Sequence, residues 1–171
     1  MDPERVAIYG WSYGGYMTSN TLGKDGGNTF KCGVAVAPLA DWRYYDTIYA
    51  ERYMGDPNIA GNLEGYVKGS IVDGHESSQF ENVDYTLIHG TDDDNVHFKN
   101  AVEMEKKLGE IFLTFFKNFM EFLLVGDGVE LRAQWYADEN HSIRSSTAVD
   151  KHVHRKILKN LLRCFKLDWR N

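Results

Sequence analysis

Apolar and polar positions along the chain change period several times, and each change marks an element. Val6-Ala7-Ile8-Tyr9 is a short apolar run. The Gly-rich stretch Gly10-Trp11-Ser12-Tyr13-Gly14-Gly15 follows it and leads into Tyr16–Leu22, which reads as helix, with Gly23 as its expected C-cap before the turn cluster Lys24–Asn28. Cys32–Ala37 is continuously apolar and ends at Pro38, the pattern of a strand buried on both faces. Trp42, Tyr45 and Tyr49 recur at helical spacing and predict one helix face packed on the core. Residues 55–84 are mixed and polar, with Pro57, Gly61 and Gly74, and read as loops and short helices. Tyr85–Gly90 is a second strand, Thr91–Asn95 an acidic loop, and a helix is expected from about Val96. Val129, Leu131, Ala133 and Trp135 alternate with Glu130, Arg132, Gln134 and Tyr136, as in a strand. Val153, Ile157, Leu161 and Leu162 give a last helix, about 148–165, its core face. Strands and helices in alternation predict an α/β chain: a mostly parallel sheet with helices on both faces.

Composition narrows this picture modestly. At 171 residues the chain is long enough for one domain with a real core. Its net charge is −6 and no Lys/Arg cluster forms a nucleic-acid footprint, which argues against nucleic acid as a partner. Met1-Asp2-Pro3-Glu4-Arg5 has neither the charged nor the apolar region of a signal peptide. Two cysteines, Cys32 and Cys164, lie far apart. Two buried thiols and a long-range bridge both stay open.

The chemistry centres on strand, Gly-x-Ser-x-Gly, helix, the pattern of a nucleophile elbow. A serine on a sharp strained turn stands clear of the backbone. Gly10 and Gly14 are expected to keep side chains out of the crowded junction, and the turn aims the Tyr13 N–H at a nascent oxyanion. The α/β-hydrolase order is Ser, then Asp or Glu, then His. Here that order runs from Ser12, through one of Asp92, Asp93 and Asp94, to His141, all beyond the C-terminal ends of expected parallel strands. Order alone does not choose among the three aspartates. His89 ends a strand, His97 starts a helix, and His75, His152 and His154 lie on polar segments, so these fit a base less well. Asp92, Asp93 and Asp94 match no EF-hand spacing and no Cys/His group has zinc spacing, so no metal is expected.

These residues carry a resemblance. Gly10–Tyr16, Phe30–Pro38, Tyr44-Tyr45-Asp46 with Glu51–Gly55, His89-Gly90-Thr91 with Asp93–Phe98, and Trp135-Tyr136 with Asp138, Glu139 and His141 resemble the C-terminal part of dipeptidyl peptidase IV-type serine exopeptidases of the prolyl oligopeptidase family. The resemblance implies the C-terminal half of an α/β-hydrolase fold, with Ser12 as nucleophile, Asp93 as acid, His141 as base and the Tyr13 N–H as oxyanion donor. It also implies that Leu39, Trp42, Tyr45, Tyr49, Asn95 and Val96 line a pocket for proline or alanine, which reassigns the aromatic stripe from core to pocket wall. Cys32 and Cys164 fall on a family disulfide, which points to an extracellular or plasma-membrane address. Peptide substrates, no cofactor, a homodimer in the full-length form and membrane attachment only through an N-terminal anchor outside this chain are implied as well.

The departures from the family pattern set further expectations. No β-propeller and no upstream oxyanion tyrosine are present, so the chain reads as part of a longer protein, with Val6–Tyr9 at an open sheet edge. Catalytically, the alternative is an inactive or accessory binding product of the same ancestry. Residues 109–123 form an atypical Phe-rich insertion in what is otherwise a partial hydrolase domain over 1–171. As a helix, Leu108–Leu123 would be amphipathic, with Phe112, Phe115, Phe119 and Phe122 on one side. About 16 residues at ~1.5 Å each fall short of a ~30 Å bilayer core. Partner docking and an interfacial position remain open, and a translated intron is the preferred reading.

Overall fold

The computed structural model describes residues 2–59, 61–108 and 131–167; the Phe-rich segment and Val129 lie outside these. Strand β1 (Ala7–Trp11) is followed by helix α1 (Tyr13–Asp25) and strand β2 (Cys32–Val36). A 3₁₀ turn (Trp42–Tyr44), helix α2 (Thr47–Met54), helix α3 (Asn62–Gly69) and a second 3₁₀ turn (Ser77–Phe80) fill the long connection to strand β3 (Asp84–Gly90). Helix α4 (residues 99–108), strand β4 (Leu131–Tyr136) and helix α5 (Thr147–Cys164) complete the described chain.

The four strands form one parallel sheet in the order β1-β2-β3-β4. Period-2 alternation sorts their side chains onto two faces. Ala35, Tyr85 and Leu87 pack with Tyr16 and Leu22 of α1 and with Ala101, Met104 and Leu108 of α4. Val34, Val36 and Ile88 face the other way, onto Val153 and Ile157 of α5. All five residues of β2 are buried, as the unbroken apolar run requires. Full burial of side chains such as Leu87 and Ile88 contributes roughly 1.5–3 kcal/mol each. Among the described residues β1 pairs with β2 alone, and Tyr9 on it is 46% exposed.

Four local expectations need correction. Helix α1 runs past Gly23 and stops at Gly26, whose left-handed φ of 58° lets its N–H bond the Leu22 carbonyl at 2.9 Å. Gly23 is instead a packing position: a Cβ there would sit 2.6 Å from Nδ1 of the buried His75. The Trp42–Tyr49 stripe is not one helix, because Tyr45 is extended between the 3₁₀ turn and α2, and the Asp46 carboxylate then caps α2 by accepting from the Tyr49 N–H at 2.8 Å. Residues 96–98 are not yet helical, and α4 begins at 99. Finally, Gly14 meets no crowding, since a Cβ there has nothing within 4 Å. The crowded pair is Gly10, whose Cβ would lie 2.1 Å from the Gly14 carbonyl oxygen, and Gly15, 2.9 Å from that of Val36.

Candidate active site

Because the sheet is parallel, β1, β3 and β4 all end on the same edge, and the residues just beyond them converge there. Ser12 follows β1 directly. Its N–H bonds the Val36 carbonyl at 2.8 Å and its carbonyl accepts from the Tyr16 N–H at 3.0 Å, so the turn is held from both sides. The backbone there has φ 59° and ψ −121°, strained for a residue with a Cβ. Tyr13, next in the chain, opens α1, where an N–H has no intrahelical acceptor.

The loop after β3 and the loop after β4 are stitched together. Thr91 N–H bonds the Tyr136 carbonyl at 2.9 Å, Asp92 N–H the Glu139 carbonyl at 3.1 Å, and Asp138 N–H the Thr91 hydroxyl at 3.0 Å. Gly90 permits this approach, since a Cβ on it would stand 2.2 Å from the Glu139 oxygen. The stitching sets Asp93 beside His141: Asp93 Oδ2 is 2.8 Å from His141 Nδ1, and His141 Nε2 is 2.8 Å from Ser12 Oγ. Asp93 Oδ1 accepts the N–H groups of Asn95 (3.0 Å) and Val96 (2.8 Å) in an Asx-type turn. Burial alone would raise the Asp93 pKa. Hydrogen bonds from His141 and His89, the charge of His141 and the Asn95 amide outweigh it and hold the carboxyl far below the usual carboxylate range. Chemically, the arrangement holds an ionised carboxylate on one imidazole nitrogen and a serine hydroxyl on the other.

The expected pocket residues meet one another beside Tyr13. The Tyr13 ring lies 6.1 Å from that of Trp42, Trp42 stacks on Tyr49 at 6.1 Å and 5°, and Tyr45 meets Tyr49 edge-on at 5.5 Å. The Tyr45 hydroxyl donates to Asn95 Oδ1 at 3.1 Å. Leu39 and Val96 are buried in the same cluster as Trp42. Trp11, His141, Ser142, Arg144, Asp150 and His154 border a cleft of about 280 Å³. Cys32 and Cys164 are joined as a disulfide with Cα atoms 6.2 Å apart, at the sheet edge opposite the site.

A profile of the prolyl oligopeptidase family matches residues 1–168. The chain belongs to the prolyl oligopeptidase family. It is 44% identical to dipeptidyl peptidase 4 of Bos taurus over 167 residues, which cover 98% of this chain and 19% of that protein. Prolyl endopeptidase FAP of Mus musculus is 43% identical with the same coverage. The crystal structure of Porphyromonas gingivalis dipeptidyl peptidase 4 has the same α/β fold, with TM-score 0.74 and 33% identity over 95% of this chain and 20% of that one. The chain thus spans 19% of the length of these curated relatives.

Three residues around Ser12, Asp93 and His141 carry no signal in the motifs of this prolyl oligopeptidase-family chain. Trp11 donates its Nε1–H to the His141 carbonyl at 2.9 Å, fixing the loop after β4 from 130 residues away. Asn100 Oδ1 accepts from the Ala40 N–H at 3.0 Å, and its Nδ2 donates to the His97 carbonyl at 3.0 Å, joining the two loops that carry Leu39 and Val96. His89, which the sequence marks only as a strand end, is fully buried with Nε2 3.1 Å from Asp93 Oδ2. The i, i+4 spacing of His89 and Asp93 was visible, but across a strand end that spacing predicts no contact.

Proposed function

We propose that this chain is the triad-bearing part of a serine exopeptidase that cleaves peptides after a penultimate proline or alanine. The observation that carries the reading is the continuous hydrogen-bond line from Asp93 through His141 to Ser12 on a strained turn. Ser12 Oγ gives its proton to His141 Nε2 and attacks the scissile carbonyl carbon. The carbonyl oxygen takes the negative charge and accepts the Tyr13 N–H. The His141 imidazolium, held at Nδ1 by ionised Asp93, protonates the departing amine, leaving an acyl-serine. Water then gives a proton to His141 and attacks the acyl carbon, and Ser12 leaves with the proton returned. The nest of Trp42, Tyr45 and Tyr49, with Leu39, Asn95 and Val96, suits a flat small ring or a methyl group at the residue before the scissile bond.

The names of the relatives, dipeptidyl peptidase 4 and prolyl endopeptidase FAP, support peptide substrates. The Cys32–Cys164 disulfide supports an oxidising, extracellular address. No helix among the described residues is long and apolar enough to cross a membrane. Homodimerisation belongs to the same reading of the full-length protein. A prolyl phosphonate that reacts with serine nucleophiles tests the reading. The chain is expected to label at Ser12, and Ser12→Ala to abolish labelling, because alanine has no oxygen to bond the phosphorus. Labelling that survives Ser12→Ala, or none in a folded sample, overturns it for this chain.

A further inference from the structure

The buried ring of His89 has no place in the steps above, yet it touches the carboxylate on which they depend. Its Nε2 lies 2.8 Å from the Val96 carbonyl oxygen and 3.1 Å from Asp93 Oδ2. A carbonyl only accepts, so Nε2 must carry the proton; Val96 takes the hydrogen bond, and Asp93 Oδ2 lies within reach of the same N–H. Nδ1 is buried with no partner among the described residues, and the ring meets Phe98 edge-on at 5.8 Å. A second proton on Nδ1 would bury both an unpartnered donor and a charge, so the ring is held as a neutral, single-tautomer donor.

Asp93 therefore receives four N–H groups: Asn95 and Val96 on Oδ1, His141 and His89 on Oδ2. We propose that His89 is a positioning residue for the reaction proposed above: its Nε2–H shares Asp93 Oδ2 with His141, fixing the carboxylate and the Val96 loop together and limiting how strongly Asp93 stabilises a protonated His141. The role rests on the serine peptidase reading for its catalytic meaning and on this geometry for its existence.

The sign follows from the sharing. Without His89, Oδ2 concentrates its charge on the His141 Nδ1–H, and the imidazolium is better stabilised. Ser12 needs neutral His141 to accept its proton, so the acid limb of the reaction moves to higher pH. Other charged or titratable groups face this array: the Tyr45 phenol near Asp93, and Arg144, Asp150 and His154 around the cleft beside His141. All are retained in the variants below.

The test uses the whole chain with three variants. His89→Phe and His89→Leu remove the donor, the former keeping ring volume against Phe98, and His89→Gln puts an amide N–H near the place of Nε2. Two readouts are followed against pH: the low-field proton resonance of the His141 Nδ1–H, which needs no turnover, and the rate of labelling by a fluorophosphonate. For His89→Phe or His89→Leu, whichever folds, both midpoints are expected to rise by about half a unit to one unit. Labelling slows by about tenfold, the effect of losing one hydrogen bond to a charged group. His89→Gln stays within about twofold of wild type. Wild-type midpoints in a folded donor-less variant, or equal damage in His89→Gln, would overturn the proposal and leave His89 a packing residue. A resonance that shifts as expected in a chain that never labels would support the positioning role while sinking the peptidase reading.

Discussion

The two glycines of the Gly-x-Ser-x-Gly motif should respond to substitution in opposite ways. A Cβ on Gly10 would stand 2.1 Å from the carbonyl oxygen and 2.2 Å from the carbonyl carbon of Gly14. Both are backbone atoms in the first turn of α1, so no side chain can swing aside, and the helix must back off β1 by about 1 Å to restore an ordinary contact. Overpacking of this kind typically costs ~1–3 kcal/mol, and backbone against backbone belongs at the upper end. Gly14 has nothing within 4 Å of its added Cβ, and it lies in helix, where alanine is favoured over glycine by up to ~1 kcal/mol. The expected gap between Gly10→Ala and Gly14→Ala is therefore about 3 kcal/mol. With a slope near 2 kcal/mol per molar, that is about 1.5 M in urea midpoint. Equilibrium urea unfolding followed by tryptophan fluorescence measures it. If Gly14→Ala is destabilised as much as Gly10→Ala, the steric account of the elbow is wrong.

Two further outcomes follow from groups remote from Ser12. The Cys32–Cys164 bridge spans 132 residues of sequence, and loop-closure entropy assigns it about 5 kcal/mol, so Cys32→Ser with Cys164→Ser should lower the urea midpoint by roughly what a reductant does to wild type. A reductant that still weakens the double variant would show that the bridge is not the cause. His75 has its pKa lowered chiefly by burial; the Gln79 hydrogen bond opposes this and the Lys24 charge adds to it. A depressed histidine contributes stability that is complete above the unfolded value near 6.5 and is lost as pH falls through the folded one. Unfolding midpoints from pH 7.5 to 5.5 should therefore fall, and His75→Gln should remove part of the slope; an unchanged slope counts against the assignment.

Much of the fold was legible because its signals are local. The unbroken run at Cys32–Val36 is a statement about which faces of a strand are covered, and the sheet covers both; the alternation across Leu131–Tyr136 marks the strand but not its burial, since Ala133 is exposed and Tyr136 is its most buried residue. The aromatic stripe misled for the converse reason. Trp42, Tyr45 and Tyr49 keep helical spacing, but Asp46 caps α2 and breaks the run, and their rings meet through a 3₁₀ turn and an extended residue instead. Gly14 misled in another way, since a motif records that a residue recurs and not which atom it would strike. Contacts such as Trp11 with the His141 carbonyl join positions 130 apart, and no periodicity carries information over that span.

The loop after β3 links Asp93 to the aromatic nest by construction. Asp93 spends one carboxylate oxygen on the N–H groups of Asn95 and Val96 and the other on His141 and His89. The same Val96 offers its carbonyl to His89, and the same Asn95 accepts the Tyr45 hydroxyl of the aromatic nest. A shift of the loop that widened the nest would therefore pull hydrogen bonds off Asp93. A shift of Asp93 would likewise loosen Val96, whose buried amide and carbonyl have no water to turn to. The cost of leaving such groups unpaired, about 1–3 kcal/mol each, ties the position of Asp93 to the shape of the aromatic nest. Binding at the nest and orientation of His141 should then fail together when this loop is disturbed, whereas damage confined to Tyr49, whose ring meets Trp42, Tyr45 and Tyr53, should affect binding alone.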